Sequence, residues 1–154
     1  MLYTEGYKYQ LVEDEVFNTN ILPPVAIHTR FINLEPTGIL TVRAGYAWDG
    51  SSGPTIDTPD SMRGSLAHDA LYQLMRMGRL DRQWREAADD LFGRLLKQDG
   101  MGWLRRKIWI MAVKKFAGGA ADPKNKKRVL IAPPPKAALA ADDDPDGADY
   151  RGGD

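Results

Sequence analysis

The chain of 154 residues contains no cysteine, which excludes disulfide bonds and thiolate metal sites. Long apolar runs are also missing: the longest, residues 108–113, is far below the ~20 residues that span a bilayer. The first six residues lack a basic region followed by an apolar run, so no signal peptide is expected. The segment 45–53 contains glycines but lacks the Lys-Ser/Thr ending of a phosphate-binding loop. Net charge is also lacking, since 21 Lys and Arg balance 21 Asp and Glu, so overall charge favours no class of partner.

What the chain does contain is enough for one core, with 43% hydrophobic residues. The composition shifts near residue 120, where a basic run is followed by a stiff Pro133-Pro134-Pro135 and an acidic run at 142–146. We therefore predict a single domain over 1–119 and a tail over 120–154 that is flexible or docked on a partner. Within this tail, residues 129–131 could add one short strand or dock on the body of the domain.

The predicted fold class is α+β, with a small antiparallel sheet followed by a three-helix unit and an irregular tail. Strands are predicted at 7–12, 25–32 and 38–46, the last forming a hairpin arm after the turn at 35–38. Helices are predicted at 59–77, 82–97 and 102–116, with Asp81 as an N-cap and Gly78 as a C-cap. The expected apolar faces are Leu66, Ala70, Leu71, Leu74 and Met75 on the first helix, and Trp84, Ala88, Leu91, Phe92 and Leu95 on the second.

The residues richest in chemistry lie between 45 and 72. A turn, Asp49-Gly50-Ser51-Ser52-Gly53-Pro54, precedes an apolar helix that carries His68-Asp69-Ala70-Leu71-Tyr72. On a helix, His68 and Tyr72 share one face and Asp69 lies about 100° away. If the turn meets the helix, the fold gathers a carboxylate, a hydroxyl, an imidazole and a second carboxylate.

This pattern resembles the domain of unknown function 1353 family, which occurs widely in bacteriophages and prophages. The matching residues are the Asp49–Pro54 turn, the His68–Tyr72 segment, and Asp89 and Phe92 on the next helix, where Ala87 stands in place of the family's Glu. The resemblance covers roughly residues 41–118. It implies a shared fold and a phage setting, and it implies no known activity.

Three interpretations of these residues remain open. Asp49, His68, Asp69 and Asp89 could converge on a divalent metal such as zinc or manganese, because imidazole and carboxylate ligands suit such ions. Alternatively, Ser51 or Ser52 could be a nucleophile with His68 as its base, which makes Asp49, Ser52, His68 and Asp69 the candidates for catalysis. The third interpretation is a hydrogen-bonded lock, in which Asp49 pins the turn to His68 or to helix amides and Asp69 pairs with Arg63 or Arg82. No cofactor is expected beyond a possible metal.

A further feature is the basic stretch between residues 105 and 128. Its positive side chains are Arg105, Arg106, Lys107, Lys114, Lys115, Lys124, Lys126, Lys127 and Arg128. They could bind nucleic acid or an anionic surface, but the solvated face of an amphipathic helix is the interpretation we favour. Residues 108–113 are apolar all round, so this helix either lies in the core, which we favour, or is covered by a partner.

The sequence thus predicts a non-enzymatic phage or prophage protein whose polar cluster is structural, with other phage structural subunits as partners. The implied location is the host cytoplasm during production, with the virion as the second location. The alternative function is a small metal-dependent hydrolase that acts on cell wall or nucleotide through the same residues.

Overall fold

The computed structural model describes residues 2–3, 8–50, 58–116, 121, 124 and 130–131. Its strands are β1 Leu2–Tyr3, β2 Tyr9–Gln10, β3 Glu15–Asn18, β4 Ile27–His28, β5 Ile32–Leu34, β6 Ile39–Val42, β7 Ala47–Trp48 and β8 Leu130–Ile131. Its helices are α1 Pro59–Arg76, α2 Arg85–Gln98 and α3 Trp103–Phe116, with a 3-10 turn at Arg82–Trp84. Antiparallel sheets followed by three helices confirm the α+β prediction.

The chain divides into two compact units, 6–126 and the terminal segments 1–5 with 127–154. The second unit contains the antiparallel pair of β1 and β8, with Leu2 opposite Ile131 and Tyr3 opposite Leu130. The short strand predicted within 129–131 is therefore confirmed. The division falls after 126, while the predicted boundary fell after 119.

The main sheet of unit 6–126 has the strand order β3-β6-β5-β4, and β2 and β7 form a separate pair. The predicted hairpin arm is β6, which pairs with β5 across the turn at 35–38. Gly38 ends this turn at φ 83, and its N–H donates to the Glu35 carbonyl at 2.9 Å. A Cβ there would lie 2.8 Å from the Thr19 carbonyl oxygen, so glycine satisfies both the backbone and the space.

Two predicted strands are shorter than expected because turns interrupt them. In 25–32, the Thr29 hydroxyl donates to the Ile32 carbonyl and accepts from the Ile32 N–H, each at 2.9 Å. This side-chain-stabilised turn separates β4 from β5. In 38–46, Gly45 at φ 89 reverses the chain after β6.

The helices begin and end where the sequence predicted, to within a few residues. Pro59 opens α1, and the Ser61 hydroxyl accepts from the Thr58 N–H at 3.1 Å. The Asp81 carboxylate accepts from the Gln83 N–H at 2.7 Å, which confirms the predicted N-cap, and Gly78 follows the Met77 cap at φ 67. The predicted apolar faces of α1 and α2 are buried, except that Trp84 is half-buried.

Arg63 on α1 ties the sheet to the helices. Its Nε donates to Glu15 on β3 at 2.9 Å, and its Nη1 donates to Asp99 at the end of α2 at 2.7 Å. Its guanidinium also lies over the Phe17 ring, 5.7 Å from the centroid. This Arg63 clamp differs from the predicted pairing of Arg63 with Asp69.

The helix α3 departs from the core prediction. Trp109 and Val113 are buried, but Ile108 and Met111 are exposed. The favoured expectation of a core helix therefore holds for one face only, because α3 packs through the side that carries Trp109 and Val113. Coverage of the outer side by a partner stays a prediction. Its Arg105 donates to the Thr58 hydroxyl at 2.6 Å and to Asp60 at 3.3 Å, which fastens α3 to the beginning of α1.

Candidate functional site

The centre of the candidate site is a contact between His68 on α1 and Asp89 on α2. His68 Nε2 lies 2.9 Å from Asp89 Oδ1, and the two residues are 6% and 3% exposed. Tyr72, one turn after His68, donates its hydroxyl proton to the same oxygen at 2.7 Å. One carboxylate oxygen thus accepts from two side chains that share a face of α1.

Arg85 extends this network to the third helix. Its Nε donates to the Tyr72 hydroxyl at 3.3 Å and lies 4.0 Å from Asp89 Oδ2, one turn away on α2. Its Nη2 donates to the Lys114 carbonyl oxygen at 3.0 Å. The His68–Tyr72–Asp89–Arg85 network therefore joins all three helices through polar contacts.

Aromatic rings enclose the network on its inner side. The rings of His68 and Tyr72 lie 4.0 Å apart between centroids, and Phe92 lies 5.5 Å from His68. The Phe92 ring stacks in turn against Trp109 of α3 at 6.4 Å. Since these rings exclude water, each polar atom they cover needs a partner within the protein.

The electrostatics favour an ionised Asp89. Burial raises the pKa of this carboxyl, but the hydrogen bonds from His68 and Tyr72 and the charges of His68 and Arg85 outweigh it, so its pKa is lowered overall. Burial, followed by the hydrogen bond to Asp89, raises the pKa of Tyr72 well above its usual range. An ionised carboxylate only accepts hydrogen bonds, so His68 Nε2 carries the proton in this contact. That nitrogen cannot act as a general base while the bond to Asp89 persists.

The structure brings together two of the four predicted metal ligands, His68 and Asp89. Asp49 is exposed just after β7, and Asp69 is half-buried on α1. Across residues 8–50 and 58–116, no group of three or more His, Asp and Glu side chains is arranged to hold a metal ion. The zinc or manganese site has no support from this geometry and stays a prediction.

The serine nucleophile was predicted within the turn after Asp49. Ser51 and Ser52 lie outside the described residues. The strand just before them is attached to α1, because the Trp48 indole N–H donates to the Ser65 hydroxyl at 3.2 Å. Ser65 precedes His68 by about one turn of α1, so Trp48 contacts the side of α1 that carries His68.

Two members of the network, Tyr72 and Arg85, had no predicted role. The signal for both was their spacing, since Tyr72 follows His68 by one helical turn and Arg85 precedes Asp89 by one. What the sequence did not contain was the register of α1 against α2, which aligns the two pairs.

The network approaches the surface at a shallow cavity of about 340 Å³ between α2 and α3. This cavity is lined by Arg82, Gln83, Arg85, Glu86, Asp89 and Lys114. His68 and Tyr72 do not line it, so the imidazole and the phenol are enclosed by the helices and only the carboxylate side of the network borders the cavity.

Comparison with protein-family models, curated proteins and solved structures returns no match for this chain. Within its described residues, no helix has the length and apolar character needed to cross a membrane.

Proposed function

We propose that this chain is a non-enzymatic structural or accessory protein of phage or prophage origin, associated with the virion. The observation that carries the proposal is that the buried His68 and Tyr72 side chains are both hydrogen-bonded to Asp89. One Asp89 oxygen accepts these two hydrogen bonds, and Arg85 Nε lies 4.0 Å from the other oxygen. Such a buried network fixes the register of the three helices. The phage setting rests on the motif resemblance alone.

If the network is a structural lock, removing one partner should lower stability more than replacing all the partners with apolar residues. Loss of one partner leaves a buried polar group unsatisfied, whereas apolar replacement of the whole set removes the requirement. A His68→Leu/Tyr72→Phe/Asp89→Leu variant should therefore unfold closer to wild type than Asp89→Leu alone does. Arg85 keeps its bond to the Lys114 carbonyl in that variant. Urea unfolding of wild type, the triple variant and Asp89→Leu measures this difference.

Two further measurements separate this proposal from a metal-dependent hydrolase. The hydrolase would bind zinc or manganese, raise its thermal midpoint with either ion, and lose hydrolytic activity in the triple variant. The structural protein would instead sediment with particles after prophage induction, and the triple variant would do so equally well. Robust hydrolysis by the wild type together with no particle association would overturn the proposal.

A further inference from the structure

The face of α3 that points away from α2 is unusually apolar for a solvent-exposed surface. Trp103 is 70% exposed, Leu104 58%, Ile108 57% and Met111 61%. On the opposite side of the same helix, Trp109 and Val113 are buried in the core. The helix therefore carries two apolar faces, and the hydrophobic core accounts for one of them.

The exposed face has the spacing of an amphipathic stripe. Leu104, Ile108 and Met111 recur at intervals of four and three residues, which places them along one side of the helix. Exposed Lys107 and Lys114 lie along one edge of this stripe, Lys115 lies within it, and Trp103 is the first residue of the helix. The α3 sequence contains no acidic residue, and Lys114 lies 3.8 Å from Asp90 of α2, so the net charge of this face is positive. We call these seven residues the α3 face.

We propose that the α3 face binds an anionic lipid bilayer, with α3 lying in the plane of the membrane surface. At 14 residues the helix is about 21 Å long, too short to span the bilayer but long enough to lie in the headgroup region. Leucine, isoleucine and methionine would enter the boundary with the acyl chains while the lysine ammonium groups contact lipid phosphates. Tryptophan is well suited to this boundary because its ring is apolar and its N–H is polar.

Charge complementarity favours a lipid surface over two other occupants. A second copy that used the same face would oppose lysines to lysines around a two-fold axis, which is repulsive. Double-stranded nucleic acid would satisfy the lysines but would leave the four apolar side chains in water. An anionic bilayer satisfies both kinds of residue. This inference goes beyond the proposed structural role and does not depend on it.

Co-sedimentation of the full chain with vesicles tests the proposal. Vesicles of phosphatidylcholine with roughly 30% phosphatidylserine should bind the protein at least tenfold more tightly than pure phosphatidylcholine, with binding weakened by salt. The Leu104→Ser/Ile108→Ser/Met111→Ser variant should lose at least tenfold in affinity. Lys107→Glu/Lys115→Glu should lose a similar factor, since each lysine near the surface contributes about fivefold.

Matched controls come from exposed residues elsewhere in the chain. Val12 and Val25 are 86% and 68% exposed outside α3, so Val12→Ser/Val25→Ser should bind like wild type. Lys97 is exposed on α2, and Lys97→Glu should change affinity by less than about twofold. Circular dichroism and thermal unfolding establish that each variant is folded. Tryptophan emission should shift to the blue on binding, and Trp103→Phe should remove most of this shift.

Several outcomes would overturn the proposal. These are equal binding to neutral and anionic vesicles, no binding to anionic vesicles, and unchanged binding by the triple serine variant, which would assign any affinity to the basic tail. Dimerisation abolished by the triple serine variant would identify a second copy as the occupant. Binding to double-stranded DNA that depends on Lys107 and Lys115 but not on the apolar stripe would identify nucleic acid.

Discussion

Asp89 is a buried negative charge stabilised from three directions. His68 and Tyr72 donate to one oxygen from α1, and Arg85 lies beside the other oxygen on α2. The pKa of Asp89 is low even though burial opposes ionisation, so these contacts outweigh desolvation. At the residue scale, the ionised Asp89 therefore depends on its contacts with His68, Tyr72 and Arg85 together.

Removal of the Asp89 charge should destabilise the fold. Asp89→Asn should lower the free energy of unfolding by about 2–4 kcal/mol, because His68 and Tyr72 keep their positions but lose a charged acceptor. Asp90→Asn is the matched control, since Asp90 is exposed and its pairing with Lys114 at 3.8 Å is a surface contact. It should cost less than about 0.5 kcal/mol in urea unfolding. Equal losses for the two variants would contradict a buried network.

The free energy of unfolding at acid pH should also depend on the Asp89 charge. Because the folded pKa of Asp89 is lowered, its contribution is present above the unfolded value of about 3.9 and is lost as the pH falls through the folded value. The cost of Asp89→Asn should therefore shrink below about pH 4 and be largest near neutrality. A cost that does not vary with pH would show that the carboxylate charge is not what the network uses.

Ionisation of Tyr72 should lower the free energy of unfolding at alkaline pH. Burial and the hydrogen bond to Asp89 raise its folded pKa, so its contribution is present below the unfolded pKa of about 10 and is lost as the pH rises toward the folded value. Tyr72→Phe has no phenol to ionise and should lose less stability than wild type between about pH 9 and 11. Denaturant midpoints of wild type and Tyr72→Phe across this pH range measure the difference.

At this scale, the sequence predicted which chemical groups matter but only part of how they meet. His68 was a candidate because an imidazole on an apolar helix is unusual, and Asp89 was a candidate because it matches the family pattern that the sequence resembles. Their mutual contact depends on the packing of α1 against α2, which no local pattern encodes. Asp69 was predicted to pair with an arginine such as Arg63 or Arg82, and the Arg63 guanidinium contacts Glu15 and Asp99 instead.

At the scale of secondary structure elements, local signals predicted the helices well and the strands poorly. Pro59-Asp60, Asp81 and Asp99-Gly100 are terminus signals that act within a few residues, so α1 and α2 could be predicted directly. Strand β3 was not predicted because it begins within the acidic run Glu13-Asp14-Glu15 and has little apolar alternation. Its pairing with β6 is set by contacts distant in sequence.

Gly64 on α1 and Gly93 on α2 lie where side chains of a neighbouring helix pack closely against the backbone. A Cβ on Gly64 of α1 would lie 3.1 Å from Phe92 Cδ2 and 3.3 Å from Leu96 Cδ2, and the Phe92 ring is held between His68 and Trp109. Gly64→Ala should therefore destabilise by about 1 kcal/mol even after the gain in helix propensity. Thermal or urea unfolding measures the change.

Gly93 of α2 supplies the control for this comparison. A Cβ there would lie 2.8 Å from Ile110 Cδ1, the end of a flexible side chain that is half-buried. Rotation of Ile110 relieves the clash, and the helix gains about 1 kcal/mol of propensity. Gly93→Ala should therefore stay within about 0.5 kcal/mol of wild type or improve on it. A larger loss at Gly93 than at Gly64 would contradict the described packing.

At the scale of the whole molecule, the hydrophobic core runs from Phe17 to Ala121 and lies within unit 6–126. A fragment of residues 6–126 should accordingly unfold cooperatively, with a thermal midpoint within about 3 °C of the full chain. The comparison fragment, 6–98, lacks the core residues Met101, Trp109, Val113 and Ala121. It also lacks the Lys114 carbonyl that accepts from Arg85 and the Asp99 carboxylate that accepts from Arg63. It should lose at least several kcal/mol of stability, from the lost apolar burial and two charged hydrogen bonds. Calorimetry of the full chain and of the two fragments measures both changes in stability.

Fold class and the position of the three helices could be predicted because they follow from periodicity and caps. The exposure of the outer face of α3 could not be predicted. An apolar run such as 108–113 has the same sequence pattern whether one face of the helix or both faces are covered. Only the placement of Trp109 and Val113 against the core shows that Ile108 and Met111 face outward.

The His68–Tyr72–Asp89 contacts and the Arg63 clamp also differ in the length of chain that each must close. Asp89 lies 21 residues from His68 and 17 from Tyr72, whereas Arg63 lies 48 residues from Glu15. Shorter closures cost less chain entropy before any contact is gained. The α1–α2 hairpin should therefore form ahead of its docking on the sheet during refolding. Pulse-labelled hydrogen exchange would then protect amides of α1 and α2 before those of β3 and β6.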